Sequence, residues 1–292
     1  MAVWLVGGFL VVAFAAVGPS YFWVKTRRVA TDPQVPVLVR RQAAIWRWSG
    51  IAVGAVAAWA AAVSGTLGRG LMLAAPLFGA SVLAGVLAGE LSVRAPASRT
   101  RRASVAVRQL RDYIPRRLAW SVATASASLG ALLTMTTLMG STDPLGNAGR
   151  TLIRQCRAAL TQSHGPWLGS FYSVPVAIMI FIGLTAAAFA MRQIVRRSRP
   201  GDPAAMAAAD DMLRSRAAYT VTGACGVFVT VPLIASSLIT AAGLLGISCR
   251  PNWWTATAWT LLALVPVWTA LLVWSGLAVL APPRRNFAST TL

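Results

Sequence analysis

The side chains with which this chain could do chemistry lie at the ends of its apolar segments rather than inside them. An acidic group inside a membrane-spanning segment would mark a proton or cation pathway. The sequence has seven acidic residues, and each falls in a connector or at a segment end. They are Asp32, Glu90, Asp112, Asp143, Asp202, Asp210 and Asp211. The sequence therefore predicts that this chain has no pathway for protons or cations.

Residues for catalysis or cofactor binding are scarce. One histidine and three cysteines, with no grouped carboxylates, are too few ligands for a histidine-rich zinc site, a bis-histidine haem or a di-metal carboxylate centre. The sequence has no GxSxG motif, no Walker A motif and no lysine within an apolar segment. We therefore predict that the protein is not an enzyme and that it has no catalytic residues, metal site or cofactor.

The three cysteines differ in setting. Cys225 falls inside an apolar segment beside Gly223 and Gly226, where a small packing residue is expected. Cys156 and Cys249 fall in two connectors that are predicted to share the outer side of a membrane. Because an oxidising compartment permits disulfides, we predict a Cys156–Cys249 bridge. The alternative is two free thiols that lie too far apart to meet.

Acids and arginines alternate where apolar segments meet the basic connectors. Their spacing predicts a cytoplasmic cluster of ion pairs that docks a partner or gates an opening. The alternative is charge balancing at helix ends, where an exposed pair contributes less than about 1 kcal/mol. The cluster comprises Glu90, Arg94, Asp112, Arg116, Arg117, Asp211, Arg214 and Arg216.

A second set of arginines falls in the outer connectors. After a possible cap at Asn147, the apolar residues between Leu152 and Leu160 recur at helical spacing, which predicts a short helix with arginines on its opposite face. These arginines are predicted to hold lipid phosphates or to attract an anionic solute. They are Arg150, Arg154, Arg157 and, from another connector, Arg250.

Composition and segment length predict the elements that position these residues. The chain is 57% hydrophobic and 12% charged, with a mean hydropathy of +0.64, and is too apolar for a soluble domain. About 20 apolar residues suffice to cross a bilayer as a helix. We predict one all-α membrane domain with seven spans, at 2–24, 48–67, 71–91, 118–140, 170–191, 217–247 and 255–280.

The basic residues predict how the spans are oriented. Of the 27 lysines and arginines, 22 fall in segments 25–47, 92–117, 192–216 and 281–292, and five fall in segments 68–70, 141–169 and 248–254. The positive-inside rule then places the N-terminus outside and the C-terminus in the cytoplasm. Since the arginines lie in short connectors, the net charge of +20 indicates anionic lipid headgroups as partners rather than nucleic acid.

Small and hydroxyl residues predict how the helices pack. Gly50-x3-Gly54 and Gly85-x3-Gly89 permit close backbone approach between membrane helices. Ser121, Thr124 and Ser128 share one helical face. Their hydroxyls either bond to carbonyls of their own or neighbouring helices or line a polar cavity.

A shift of 99 residues lays the pattern Asp112-x4-Arg117-x2-Trp120 on Asp211-x4-Arg216-x2-Tyr219. This match predicts three parallel helical hairpins behind a first helix, an arrangement known in transporters. The alternative is that basic, aromatic and small residues in this order mark the start of any helix that begins on the cytoplasmic side.

The passages GEL, RAPASRTRRA and RDYIPRRLAW, between Gly89 and Trp120, alternate with Ala/Val/Leu-rich spans. In this they resemble multi-pass membrane proteins of actinobacteria. The resemblance implies a multi-pass protein of a bacterial plasma membrane. It implies no activity and no site residues.

Two functions fit these features. The first is a non-enzymatic membrane subunit or scaffold whose basic connectors, Arg94–Arg117 and Arg192–Arg216, dock a protein partner or a further copy together with anionic lipid. The second is a small transporter, or a subunit of one, that moves an uncharged, amphipathic or anionic solute past the hydroxyls of span 118–140. The lack of charge within the spans favours the first, and the repeat favours the second.

Overall fold

The computed structural model describes residues 37–64, 69–92, 113–156, 160–196 and 204–282, with the backbone alone for 37–42 and 204–210. Within these residues the chain forms six helices and one two-stranded hairpin. The helices are α1 (Val37–Ser64), α2 (Arg69–Ser92), α3 (Arg116–Met139), α4 (Ser170–Arg196), α5 (Ala204–Leu245) and α6 (Asn252–Leu280). The strands are β1 (Leu152–Gln155) and β2 (Thr161–His164). The predicted first span, 2–24, lies outside the described residues.

Five of the described helices are long and apolar enough to cross a membrane: α2, α3, α4, α6 and the Asp211–Leu245 part of α5. The prediction of an all-helical, multi-pass chain is confirmed at this level. Helix α1 contains the described part of the predicted span 48–67 but is not among the five. After Arg47, the described part of α1 is a run of 17 residues without a charge, from Trp48 to Ser64.

Helix α5 is the centre of the bundle. It packs against α2, α3, α4 and α6, whereas α1 packs mainly on α2. In the most apolar stretch of α5, 78% of the residues are buried, whereas in that of α4 only 22% are buried. Large side chains on the outer faces are exposed, including Leu138 (81%), Trp120 (75%) and Phe181 (73%). Such an apolar outer surface is expected of helices that face lipid.

Phe228 marks the point at which α5 meets two other helices. Its side chain is fully buried. A Cβ placed on Gly79 of α2 would lie 2.8 Å from the Cα of Phe228, and one placed on Gly183 of α4 would overlap the Phe228 ring. The two glycines therefore leave the space that the phenylalanine ring fills.

The two predicted glycine motifs face each other across α1 and α2. A Cβ on Gly50 would lie 2.8 Å from the carbonyl oxygen of Ser81, and one on Gly85 would lie 2.6 Å from that of Trp46. These oxygens belong to the backbone and cannot rotate away. The predicted close approach is confirmed, since glycine alone lets these backbones come so near.

The hydroxyls of α3 bond to their own helix. Ser121 donates to the carbonyl of Arg117 at 3.0 Å, and Thr124 donates to that of Trp120 at 3.0 Å. Thr124 lies on the exposed face of the bundle, and Ser128 is half-buried. Of the two alternatives, local bonding is therefore the one that describes Ser121 and Thr124.

The predicted three-hairpin repeat stays a prediction. Packing is extensive within the α1–α2 hairpin and within the α5–α6 hairpin. Helices α3 and α4, which would form the third hairpin, pack more on α5 than on each other.

The predicted short helix around Cys156 is wrong. Strands β1 and β2 form an antiparallel hairpin there, in which Leu152 pairs with His164 and Gln155 pairs with Thr161. Gly146 and Gly149 just before it have φ of 84° and 73°, which interrupt any helix that begins at Asn147. The spacing of the arginines suits a helix, but pairing with a strand six or more residues away decides the local structure.

Candidate functional site

The residues singled out in the sequence gather at the two ends of the bundle. At one end, α1, α3 and α5 begin and α2, α4 and α6 end; we name this the basic end. At the other end lie the connector between α3 and α4 and the loop between α5 and α6, which together we name the cap. The described helix ends that flank the two predicted sets of connectors thus lie at opposite ends of the bundle.

At the basic end, Glu90 of α2 pairs with Arg47 of α1. The Arg47–Glu90 ion pair has an N–O distance of 3.9 Å, and Arg47 also donates to the carbonyl of Val279 at 2.9 Å. The one guanidinium therefore joins α1, α2 and α6. The predicted members Arg94 and Asp112 lie outside the described residues.

A second group at the basic end links α5 to α3 and α4. The Tyr113 hydroxyl donates to the carboxylate of Asp211 at 2.9 Å. Arg214 is 3% exposed and donates to the carbonyl of Val195 at 2.6 Å, near the end of α4. An arginine at that position satisfies a helix carbonyl that has no partner within the helix. Arg214 therefore fixes the start of α5 against the end of α4.

The remaining predicted arginines of the basic end lie at the surface. Arg116 and Arg117 are exposed in the first turn of α3, one turn before the exposed Trp120. Arg216 of α5 is exposed as well. Arginine and tryptophan side by side at a helix end are typical of the headgroup level of a membrane. The docking or gating role of the predicted cluster stays a prediction.

In the cap, Cys156 and Cys249 form a disulfide, with Cα atoms 5.9 Å apart. It joins the end of β1 to the loop between α5 and α6, as the sequence predicted. Beside it, the Gln162 side-chain oxygen accepts a hydrogen bond from the backbone N–H of Ser248 at 2.9 Å. The hairpin is therefore attached to the end of the central helix covalently and by its side chains.

Two arginines of the cap, Arg154 and Arg250, contact the adjacent ends of α5 and α6. The Arg154 guanidinium lies 5.6 Å from the centre of the Trp254 ring, within range of a cation–π interaction. Arg250 donates to the carbonyl of Leu245, the last residue of α5, at 2.9 Å and to Thr255 Oγ1 at 2.9 Å. Arg157 lies outside the described residues. The contact of the cap arginines with lipid or an anion stays a prediction.

Asp143 is the buried acid of the cap. Its carboxylate lies 2.6 Å from the Arg150 guanidinium and accepts hydrogen bonds from the backbone N–H groups of Leu145 at 3.0 Å and Asn147 at 2.8 Å. Burial by itself would raise the pKa of Asp143, but the hydrogen bonds from Asn147, Arg150 and Leu145 together lower it from 3.8 to about 2. The Arg150 pKa is raised, first by its hydrogen bond with Tyr172 and then by that with Asp143.

The lowered pKa of Asp143 predicts how the cap responds to acid. Because the folded pKa lies below the unfolded one, the carboxylate stabilises the folded state above about pH 4, and this contribution is lost as the pH falls towards 2. We expect the free energy of unfolding of the wild-type protein to fall over this range. The Asp143→Asn variant should have a lower free energy of unfolding at pH 7, and this value should change less with pH below pH 4. Denaturant titrations in micelles at a series of pH values measure this; parallel curves for the two proteins would contradict it.

Trp167 covers the end of α5 beneath the cap. It is fully buried, and its indole N–H donates to the carbonyl of Thr136 in α3 at 2.8 Å. A Cβ on Gly243 of α5 would lie 2.8 Å from the Trp167 ring. The sequence gives no sign of this contact, because it depends on three segments meeting.

Within the residues that the structure describes, no three histidine, cysteine or acidic side chains lie close enough to hold a metal ion. No family model, curated protein or solved structure matches the chain. Function must therefore be argued from the two ends of the bundle and from the core that separates them.

Proposed function

We propose that the chain is a non-enzymatic integral membrane subunit or scaffold, which docks a partner protein and anionic lipid through the basic connectors. The observation that carries this proposal is the way α5 satisfies its own polar groups. Thr222, Thr230 and Ser237 are buried in α5, and each donates to a carbonyl of the same helix four residues earlier. Because each hydroxyl has a single proton, none of these three can donate a hydrogen bond to a passing solute while it is bonded in this way.

The proposal includes seven spans in a bacterial plasma membrane, with the N-terminus outside and the C-terminus inside. The distribution of 22 basic residues against five supports this orientation. Tags at the two termini, probed in intact and in permeabilised cells, test it. The N-terminal tag should be accessible in intact cells and the C-terminal tag only after permeabilisation; accessibility of both in intact cells would overturn the topology.

The chemistry of the partner follows from the charge of the connectors. Segments 92–117 and 192–216 carry 14 of the 27 basic residues and only four of the acids. A protein surface that binds them is expected to be acidic, and anionic headgroups are expected beside Arg116, Arg117 and Trp120 at the start of α3.

Purification in a mild detergent tests the docking function. We expect the wild-type chain to retain an acidic partner and phosphatidylglycerol, and Arg116→Gln/Arg117→Gln to retain less of both, with greater loss at higher salt. Arg69→Gln, at the opposite end of the bundle, is the matched control and should behave as wild type. Wild-type protein that carries neither partner nor anionic lipid would overturn the proposal.

The second candidate, a small transporter, is favoured by two buried hydroxyls. Neither Thr240 Oγ1 nor Ser275 Oγ has a hydrogen-bond partner among the described residues. However, Ser275 lies beside Gly226, and Thr240 is 14 residues further along α5, which at 1.5 Å per residue is about 21 Å. The two hydroxyls are thus too far apart to share a ligand. Solute flux in proteoliposomes of the purified chain alone would favour this candidate.

A further inference from the structure

One face of α1 is exposed along most of the helix. Gly50, Gly54 and Ala58 are buried against α2 on the opposite face. The exposed face carries Val53, Val56, Trp59 and Val63, which are 60%, 69%, 72% and 66% exposed. We propose that this face of α1 is the docking surface for the apolar segment of residues 2–24 of the same chain.

Trp59 is the first reason to expect protein rather than lipid on this face. It lies 11 residues from Trp48, about 16 Å along the helix, and so near the middle of a hydrocarbon core about 30 Å thick. Tryptophan is enriched at membrane interfaces, because its indole N–H needs a hydrogen-bond partner. Within the described part of the chain, no hydrogen bond is found for Trp59. A neighbouring helix can offer it a carbonyl or hydroxyl oxygen, which lipid tails cannot.

The composition of α1 is the second reason. Helix α1 has alanine at seven of its last 14 residues, from Ile51 to Ser64. Its extensive packing is with α2 alone. Helix association in a bilayer is driven by packing rather than by the hydrophobic effect, so a second neighbour would stabilise a helix rich in alanine.

The length of chain before α1 selects the occupant. Residues 2–24 form 23 residues without a charge, which is enough to cross the membrane once. Residues 25–36 then connect them to Val37, the first residue of α1, and 12 residues can extend about 40 Å. Sequential elements are usually neighbours in space. The proposal requires the predicted span at 2–24 but does not depend on the docking function.

Cysteine cross-linking in membranes tests the proposal. In a Cys225→Ala background, Val12→Cys is combined with Val56→Cys, both near the middle of their segments, and a protease site is placed in residues 25–36. After oxidation and cleavage, we expect the N-terminal fragment to remain attached to the rest of the chain until a reductant is added. The control combines Val12→Cys with Ile178→Cys on α4, which is 54% exposed at a similar depth.

Three results would overturn the proposal. The first two are release of the fragment in both the test pair and the control pair, and equal attachment of the fragment in both. The third is a link found only between two full-length chains, because it would assign this face of α1 to a second copy. The native Cys156–Cys249 bridge, seen as a mobility shift on non-reducing gels, shows that each variant is folded. A second pair, Val12→Cys with Val53→Cys, should link as well if the same face is covered.

Discussion

Replacing Cys156 or Cys249 with serine is expected to lower the free energy of unfolding of the bundle by about 2–4 kcal/mol. The bridge spans 93 residues, and the chain-entropy model gives about 4–5 kcal/mol for a loop of that size in a free chain. A membrane protein unfolded in detergent keeps much of its helical structure, so its loop ends are already restricted and the effect is smaller. Titration with a denaturing detergent, followed by tryptophan fluorescence, measures the change.

The design of the cysteine variants separates the bridge from the side chains. Cys156→Ser, Cys249→Ser and the double variant should be equally unstable, because any of them removes the same bond. Cys225→Ser is the matched control, since Cys225 is a half-buried free cysteine of α5, and it should keep the gel mobility of the bridged protein. Wild-type stability in all three bridge variants would show that the side-chain contacts of the cap suffice without the disulfide.

The bridge shows what kind of information the sequence contains. Counting charges in the connectors assigned Cys156 and Cys249 to one side, and sidedness together with an oxidising compartment was enough to pair them. The five apolar helices follow equally from segment length, because a bilayer demands a run of about 20 apolar residues whatever the neighbours are. Features that the bilayer and the compartment on each side of it determine can therefore be predicted from a single sequence.

Features set by contacts between distant segments could not be predicted. The Arg47–Glu90 ion pair joins residues 43 positions apart on two helices, and the sequence singled out Glu90 but not Arg47. It predicted a helix where β1 pairs with β2, since helical spacing is visible locally and a strand partner is not. The burial of Arg214 against the end of α4 likewise depends on how two helices meet. None of these contacts is encoded in a short window of residues.

Replacing Phe228 with alanine is expected to cost about 3 kcal/mol of the free energy of unfolding. The ring of Phe228 is fully buried and fills the space beside Gly79 and Gly183, where α2, α4 and α5 meet. Because Gly79 and Gly183 lack a side chain, neither can move a group into the cavity, and the dispersion contacts on these two sides are lost. Phe181→Ala is the matched control: that ring is 73% exposed on α4, and its loss should cost less than about 1 kcal/mol.

A double-variant cycle decides whether Phe228 acts through this contact. Gly183→Leu alone should destabilise the bundle, because any side chain at position 183 overlaps the Phe228 ring. Combined with Phe228→Ala, the leucine occupies the vacated space, so the double variant should be more stable than the sum of the two single changes by about 1–3 kcal/mol. Strict additivity would mean that α4 and α5 do not meet at these residues in the membrane. Since α5 contacts every other membrane-crossing helix described, such a result would require a different arrangement of the whole bundle.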